Sequence, residues 1–189
     1  MKMLGKGNHG AAYLMPDGRV RKETNDWREY EAAQVLKGLN LPHIVRINEC
    51  QEYLDEDGEK HYAIIEERLL MGANGIGPKR KDRFMSCFKQ SWADYFDTLS
   101  ADGRLNYANY VDFMFHCIRT ENQKQCQNVF RCFQQRTHST RMTAMYHATC
   151  TAIITLYRQS PFLEIDMNSG NIGFSADGQM KFFDIVRTP

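Results

Sequence analysis

The 189-residue chain has no run of about 18 apolar residues, the length a membrane-spanning helix needs. Its most apolar stretch, Ala144 to Tyr157, is broken by His147 and several threonines. It also lacks an excess of either charge. With 24 Lys and Arg against 23 Asp and Glu, its formal net charge is +1, which excludes a protein whose main task is to coat a phosphate backbone. Met1 to Gly5 contain no apolar signal core, so the chain is expected to stay in the cytoplasm. None of the six cysteines forms a C-x-x-C pair, and free thiols are expected, with a zinc site from His116, Cys117, Cys126 and Cys132 as the alternative. No repeat at a solenoid period is present. What remains is a globular composition, 42% hydrophobic and 25% charged. A chain of this size buries about 70% of its unfolded surface, enough for one bilobal domain or two small ones without staples.

From the start to about Leu69 the chain reads as strands and turns with one helix. Asp17-Gly18 separates Ala11 to Leu14 from Arg19 to Lys22, and Asp57-Gly58 separates Ile47 to Leu54 from His61 to Glu66; Asp-Gly is a strong hairpin signal. Between the hairpins, Asn25 and Asp26 offer an N-cap, and Ala32, Val35, Leu36 and Leu39 recur at helical spacing until Asn40 and Pro42. Met71 to Pro78, rich in glycine, is expected to connect this half to the next, and Lys79-Arg80-Lys81 to be a solvated loop or, less simply, a nucleic-acid contact. From Asp82 to Ser160 there is no proline, and apolar spacing predicts helices over Phe84 to Leu99, Tyr107 to Ile118 and Thr140 to Tyr157. The last segment returns to short strands, Asn171 to Phe174 and Met180 to Phe183, around Asp177-Gly178.

Three places carry chemistry. Gly5-Lys6-Gly7-Asn8-His9-Gly10 has the spacing that lets main-chain N–H groups approach phosphates, yet only four residues precede it and a hairpin follows. A dinucleotide fold would need a buried strand before and a helix after, and a Walker loop would end in Gly-Lys-Ser/Thr. A flap between two strands, covering nucleotide phosphates, fits instead. Lys22 lies in the next strand, and the helix after it carries Glu29 and Glu31. Near the end, Asp166 and Asn171 are five apart and Asp184 follows thirteen on, the order a base and two hard-oxygen metal ligands take in phosphoryl transfer. A calcium loop on Asp166, Asn168 and Asp177 fails, because its obligatory central glycine would be Asn171.

The chain resembles a minimal protein kinase. At both ends it is most similar to the early serine/threonine protein kinases of T-odd short-tailed bacteriophages, through Lys2-Met3-Leu4-Gly5-x-Gly7 with Ala11-Ala12-Tyr13, and through Asp166-Met167-x-Ser169-Gly170-Asn171-Ile172 with Asp184. The resemblance implies an α+β, two-lobed fold: an antiparallel sheet with one helix in residues 1–68, then a helical lobe in 69–189 with a terminal β-hairpin and a truncated C-terminus. It implies ATP and Mg²⁺ as cofactors. Gly5, Gly7 and Gly10 would cover the phosphates, Lys22 orient them with Glu31, or else Glu29, as its partner, and the backbone of Glu66 and Arg68 meet adenine. Asp166 would act on the acceptor hydroxyl, Asn168 would stand where kinases place a cation, and Asn171 and Asp184 would hold the metal. The implied role is phosphorylation of host bacterial proteins, the transcription and RNA-processing machinery among them, for host shutoff. Glu164-Ile165 in place of His-Arg, and Ile185-Val186 after Asp184, depart from the kinase pattern. A small-molecule phosphotransferase of the aminoglycoside-kinase kind and a weakly catalytic module that binds a host protein are the alternatives.

Overall fold

The computed structural model describes residues 1–7, 9–71, 76–101, 103, 107–160 and 164–187. The first half is a five-stranded antiparallel sheet and one helix. Strands β1 (Lys2–Lys6), β2 (Gly10–Leu14), β3 (Val20–Thr24), β4 (Ile47–Leu54) and β5 (Lys60–Glu66) lie in the order β1-β2-β3-β5-β4. Gly18 and Gly58 take φ of 86° and 80°, the left-handed turn conformation that the two Asp-Gly pairs foretell. Helix α1 (Trp27–Leu39) starts where Asp26 accepts from the Arg28 amide at 3.0 Å and ends at Asn40 in the left-handed region. It buries Ala32, Ala33, Val35 and Leu36 against the sheet. In β5, Tyr62 to Ile65 are all buried, so both faces of that strand are covered.

The second half holds α2 (Ile76–Ala101), α3 (Tyr110–Arg119), α4 (Gln123–Thr137) and α5 (Thr140–Gln159). Helix α2 begins earlier than the apolar spacing indicates. Pro78 sits in its first turn, where no intrahelical N–H partner is needed, and Lys79-Arg80-Lys81 are helical rather than a loop; Lys81 is buried and reaches the Met71 carbonyl at 3.4 Å. Residues 72–75 of the expected connection lie outside the described residues. Helix α4 is not foretold, because its buried stripe is only Val129, Phe133 and Thr137 in a segment crowded with glutamine and basic residues. The core joins all helices around Phe84, Phe88, Trp92, Phe113 and Phe133, each fully buried and each contributing about 1.5–3 kcal/mol by leaving water.

The chain then forms β6 (Glu164–Ile165), a 3-10 turn at Ser169–Asn171, the hairpin β7 (Ile172–Phe174) and β8 (Met180–Phe182), and β9 (Val186–Arg187), which pairs with β6. This terminal segment stitches the halves together. The Val45 amide donates to Phe182 O at 2.7 Å and Phe182 N to His43 O at 2.9 Å, while Leu70 and Phe174 exchange bonds of 2.7 and 2.8 Å. The described residues therefore form an α+β fold, with a five-stranded antiparallel sheet and five α-helices. No helix among the described residues is long and apolar enough to cross a membrane. All six cysteines are free thiols, and the His116, Cys117, Cys126 and Cys132 set does not converge as a metal group; burial pushes the Cys117 thiol up to about 12, far from the thiolate that zinc takes.

Candidate active site

The sheet register puts Lys22 opposite Ala12 on β2 and Ile64 on β5. Its side chain points under the sheet, where its Nζ stands 2.6 Å from Asp184 Oδ1 and 3.2 Å from Glu29 Oε2. The Lys22–Asp184 bond closes 162 residues of sequence. Burial opposes the ammonium charge, but Asp184, Glu29 and Glu66 outweigh it and hold the lysine above its ordinary range. Asp184 has a φ of 46°, a left-handed conformation that costs a non-glycine residue energy and is concentrated at functional sites.

The expected partner of Lys22 is corrected from Glu31 to Glu29. Ala32 faces the core at 4% exposed, and Glu29, one turn before it, shares that face; Glu31 is a single residue from Ala32 and so rotated by about 100°. Glu29 Oε2 and Glu31 Oε2 are both buried without a hydrogen bond, and among the described residues it is Glu29 that meets the Lys22 ammonium as an ion pair.

A second set of bonds organises the loop after β6. The Asp166 amide donates to Ile185 O at 2.6 Å, tying the loop to the strand that follows Asp184. Asn168 Nδ2 donates to Asp166 Oδ1 at 2.8 Å, and Asn168 Oδ1 accepts from the Asn171 amide at 3.2 Å. Asn171 Nδ2 reaches Asp166 Oδ2 at 3.1 Å and Asp184 O at 2.8 Å. These bonds use the amide nitrogen and leave Asn171 Oδ1 without a protein partner among the described residues. Asp166, Asn168, Asn171 and Asp184 thus form one network, linked through Asp184 to Lys22 and Glu29. Asn168, expected where a cation belongs, adds no charge and spends its amide on orienting Asp166. Asp177 lies apart, in the β7–β8 turn, bonded by Ser175 Oγ and by Gln179 Nε2 at 2.9 Å, so no calcium loop forms.

A cleft of about 290 Å³ opens beneath the glycine segment, lined by Gly5, Gly7, Gly10, Lys22, Glu66 and Asp184 among others. The Gly7 amide donates to Gly10 O at 2.8 Å and closes the turn; Asn8 lies outside the described residues. Only Gly10 is dictated by packing, since a Cβ there would lie inside the van der Waals radius of the Glu23 carbonyl oxygen, whereas at Gly5 it would meet nothing. His9 also lines the cleft and escaped notice in the sequence, being a loop residue with no pattern to mark it.

Glu66 lies between two strands, opposite Val20 and Ile47, and lines the cleft. Burial and the nearby Asp184 charge push its carboxyl up to about 8, with Lys22 acting in the opposite direction. Alternation along β5 carries the signal, because Glu66 shares the face of Ile64, the residue paired with Lys22. Arg68 lies beyond the sheet, exposed, between Glu67, whose amide donates to Arg46 O at 3.0 Å, and Leu70.

The arrangement suits a polyphosphate and a hard cation. The glycine turn, the Lys22 ammonium and the Asp184 carboxylate line the cleft, and the Asn171 amide lies beside Asp184. No protein-family model matches the chain, and no curated protein matches it.

Proposed function

We propose that the chain is an ATP-dependent phosphotransferase of protein-kinase architecture, acting on serine or threonine hydroxyls of host bacterial proteins in an infected cell. The observation that carries this reading is the convergence of Lys22, Glu29, Asp166, Asn171 and Asp184 from both halves of the chain. Phosphoryl transfer asks for little covalent help and much positioning and charge compensation. The Lys22 ammonium, braced by Glu29 and Asp184, orients the phosphates under the glycine turn. Asp166, held at one oxygen by Asn168 and at the other by Asn171, accepts the proton of the attacking hydroxyl. The free Oδ1 of Asn171 and the carboxylate of Asp184 are hard oxygen donors that fit Mg²⁺. When bound, the ion would neutralise charge on the transferring phosphoryl group. The choice of host proteins as substrates rests on the resemblance of the two ends of the chain to phage kinases.

The test is incubation of the purified chain with γ-labelled ATP, Mg²⁺ and bacterial lysate, beside Asp166→Ala. Label on protein only with the unaltered chain is expected, with turnover by the variant lower by about 10²-fold or more. Equal labelling by both would sink the assignment. One observation favours a small-molecule acceptor instead: β9 follows Asp184 almost at once and returns to β6, with no intervening segment on which a peptide would lie. ATP turnover with a soluble acceptor and no labelled protein would select that reading. Nucleotide binding without turnover would select a binding module.

A further inference from the structure

A second cavity, of about 390 Å³, lies between α2, α5 and the β7–β8 hairpin and shares no lining residue with the cleft around Lys22. We propose that it binds a phosphate monoester. His43, Arg80, Thr140, Arg141, Asp177 and Gln179 line it. Neither Arg80 nor Arg141 has a carboxylate partner among the described residues; Arg80 lies over the Phe174 ring at 5.6 Å from its centroid. Thr140 and Arg141 are the first two residues of the twenty-residue α5. Ser139 serves the amides of Met142 and Thr143, at 3.4 and 2.9 Å, and leaves those of Thr140 and Arg141 unbonded. A guanidinium in the first turn of a helix also opposes the helix dipole, a cost that a bound anion reverses.

An independent observation comes from His43. It is only 9% exposed, it lines this cavity, and its Nδ1 donates to Met180 O at 2.8 Å, which leaves Nε2 without a partner among the described residues. Met180 O is used by His43, and the one carboxylate of the pocket, Asp177, is bonded by Ser175 Oγ and Gln179 Nε2 and kept below its ordinary range by the Ser175 hydroxyl and the hairpin amides. Two guanidinium groups, two helix amides and a hydroxyl against one engaged carboxylate make a donor-rich hollow, matched by a compact dianion that takes Arg in bidentate fashion. This also gives Arg80 a role other than the nucleic-acid contact considered for Lys79-Arg80-Lys81: a concave site for one phosphate rather than a strip for many.

The monoester can be a phosphoserine on a protein or a free phosphate compound, and calorimetry on the full chain separates them. The probes are a phosphoserine peptide, its unphosphorylated twin, inorganic phosphate and glucose 6-phosphate. Binding of the phosphorylated peptide and not its twin is expected. Arg80→Gln and Arg141→Gln should each weaken it about tenfold, the loss of a charge-assisted hydrogen bond. Ala144→Glu, which sets a carboxylate at an exposed lining position of α5, should abolish it with an unchanged melting midpoint. Peptide bound more tightly than both small ligands assigns a protein-borne phosphate, and equal binding assigns a free one. Absence of phosphate-dependent binding, or binding indifferent to the double arginine variant and to Ala144→Glu, overturns the proposal.

Discussion

At the scale of single residues, Glu66 is the carboxyl of the cleft whose environment most opposes its charge. A carboxyl with an ordinary value of 4.5 is pushed up to about 8 beside Asp184 and Glu29, with one ammonium, Lys22, among them. Below about 4.5 both folded and unfolded chains hold the proton. Between 4.5 and about 8 only the folded chain holds it, so unfolding releases a proton and rising pH favours the unfolded state. The contribution of Glu66 is thus fully present at low pH and is lost as pH rises through that window, while Lys22 stays charged throughout. Urea titrations at a series of pH values should show Glu66→Gln more stable than the natural chain at pH 8 and equal to it at pH 4. A variant whose stability follows the same pH course as the natural chain would place the titration elsewhere.

Elements carry the next set of consequences, and the β1–β2 turn separates two roles of glycine. Gly10 lies in β2 opposite Thr24, and any Cβ there drives into the carbonyl of Glu23 on the neighbouring strand. Gly10→Ala should therefore cost about 1–3 kcal/mol of stability, as overpacking does, with the β2–β3 pairing displaced. Gly5→Ala meets open space and should leave the urea midpoint within the range of a surface change, yet it thickens the roof of the cleft. Nucleotide binding measured by fluorescence should fall in both variants, in Gly5→Ala without loss of stability. If Gly5→Ala binds as the natural chain does, this turn does not cover phosphates. The correction from Glu31 to Glu29 belongs to the same scale, because a helix presents a face, and the face is set by what the helix packs against.

For the molecule as a whole, the decisive contact is between β8 and the loop after α1. Phe182 is fully buried, 5.9 Å from Phe84 in an edge-to-face pair, and its backbone bonds to His43 and Val45 across the two halves. Phe182→Ala should cost about 3–5 kcal/mol, the range for a large buried aromatic. Because that contact also helps to hold Asp184, two residues on, near Lys22, nucleotide binding should fall with it. A calorimetric melt reads the first effect and a nucleotide titration at low temperature the second. A variant that melts earlier but binds nucleotide unchanged would show that β8 carries stability without positioning the cleft.

Much of this protein is local and so was legible in its residues. Asp17-Gly18 and Asp57-Gly58 specify left-handed turns, Asp26 and Asn40 bound one helix, and apolar spacing marks three of the four later ones, all through interactions within a few positions. The spacing of Asp166, Asn171 and Asp184 singled them out as well, and the structure brings them together with Lys22. Helix α4 was not, since its polar surface hides a narrow buried stripe that only the surrounding core reveals. The choice of Glu29 over Glu31, the turning of Glu66 into the cleft and the meeting of Lys22 with Asp184 across 162 positions were decided by tertiary structure alone. Sequence spacing encodes short-range preference, whereas which face is buried and which distant charges share a cavity follow from how elements pack and from the low dielectric they enclose.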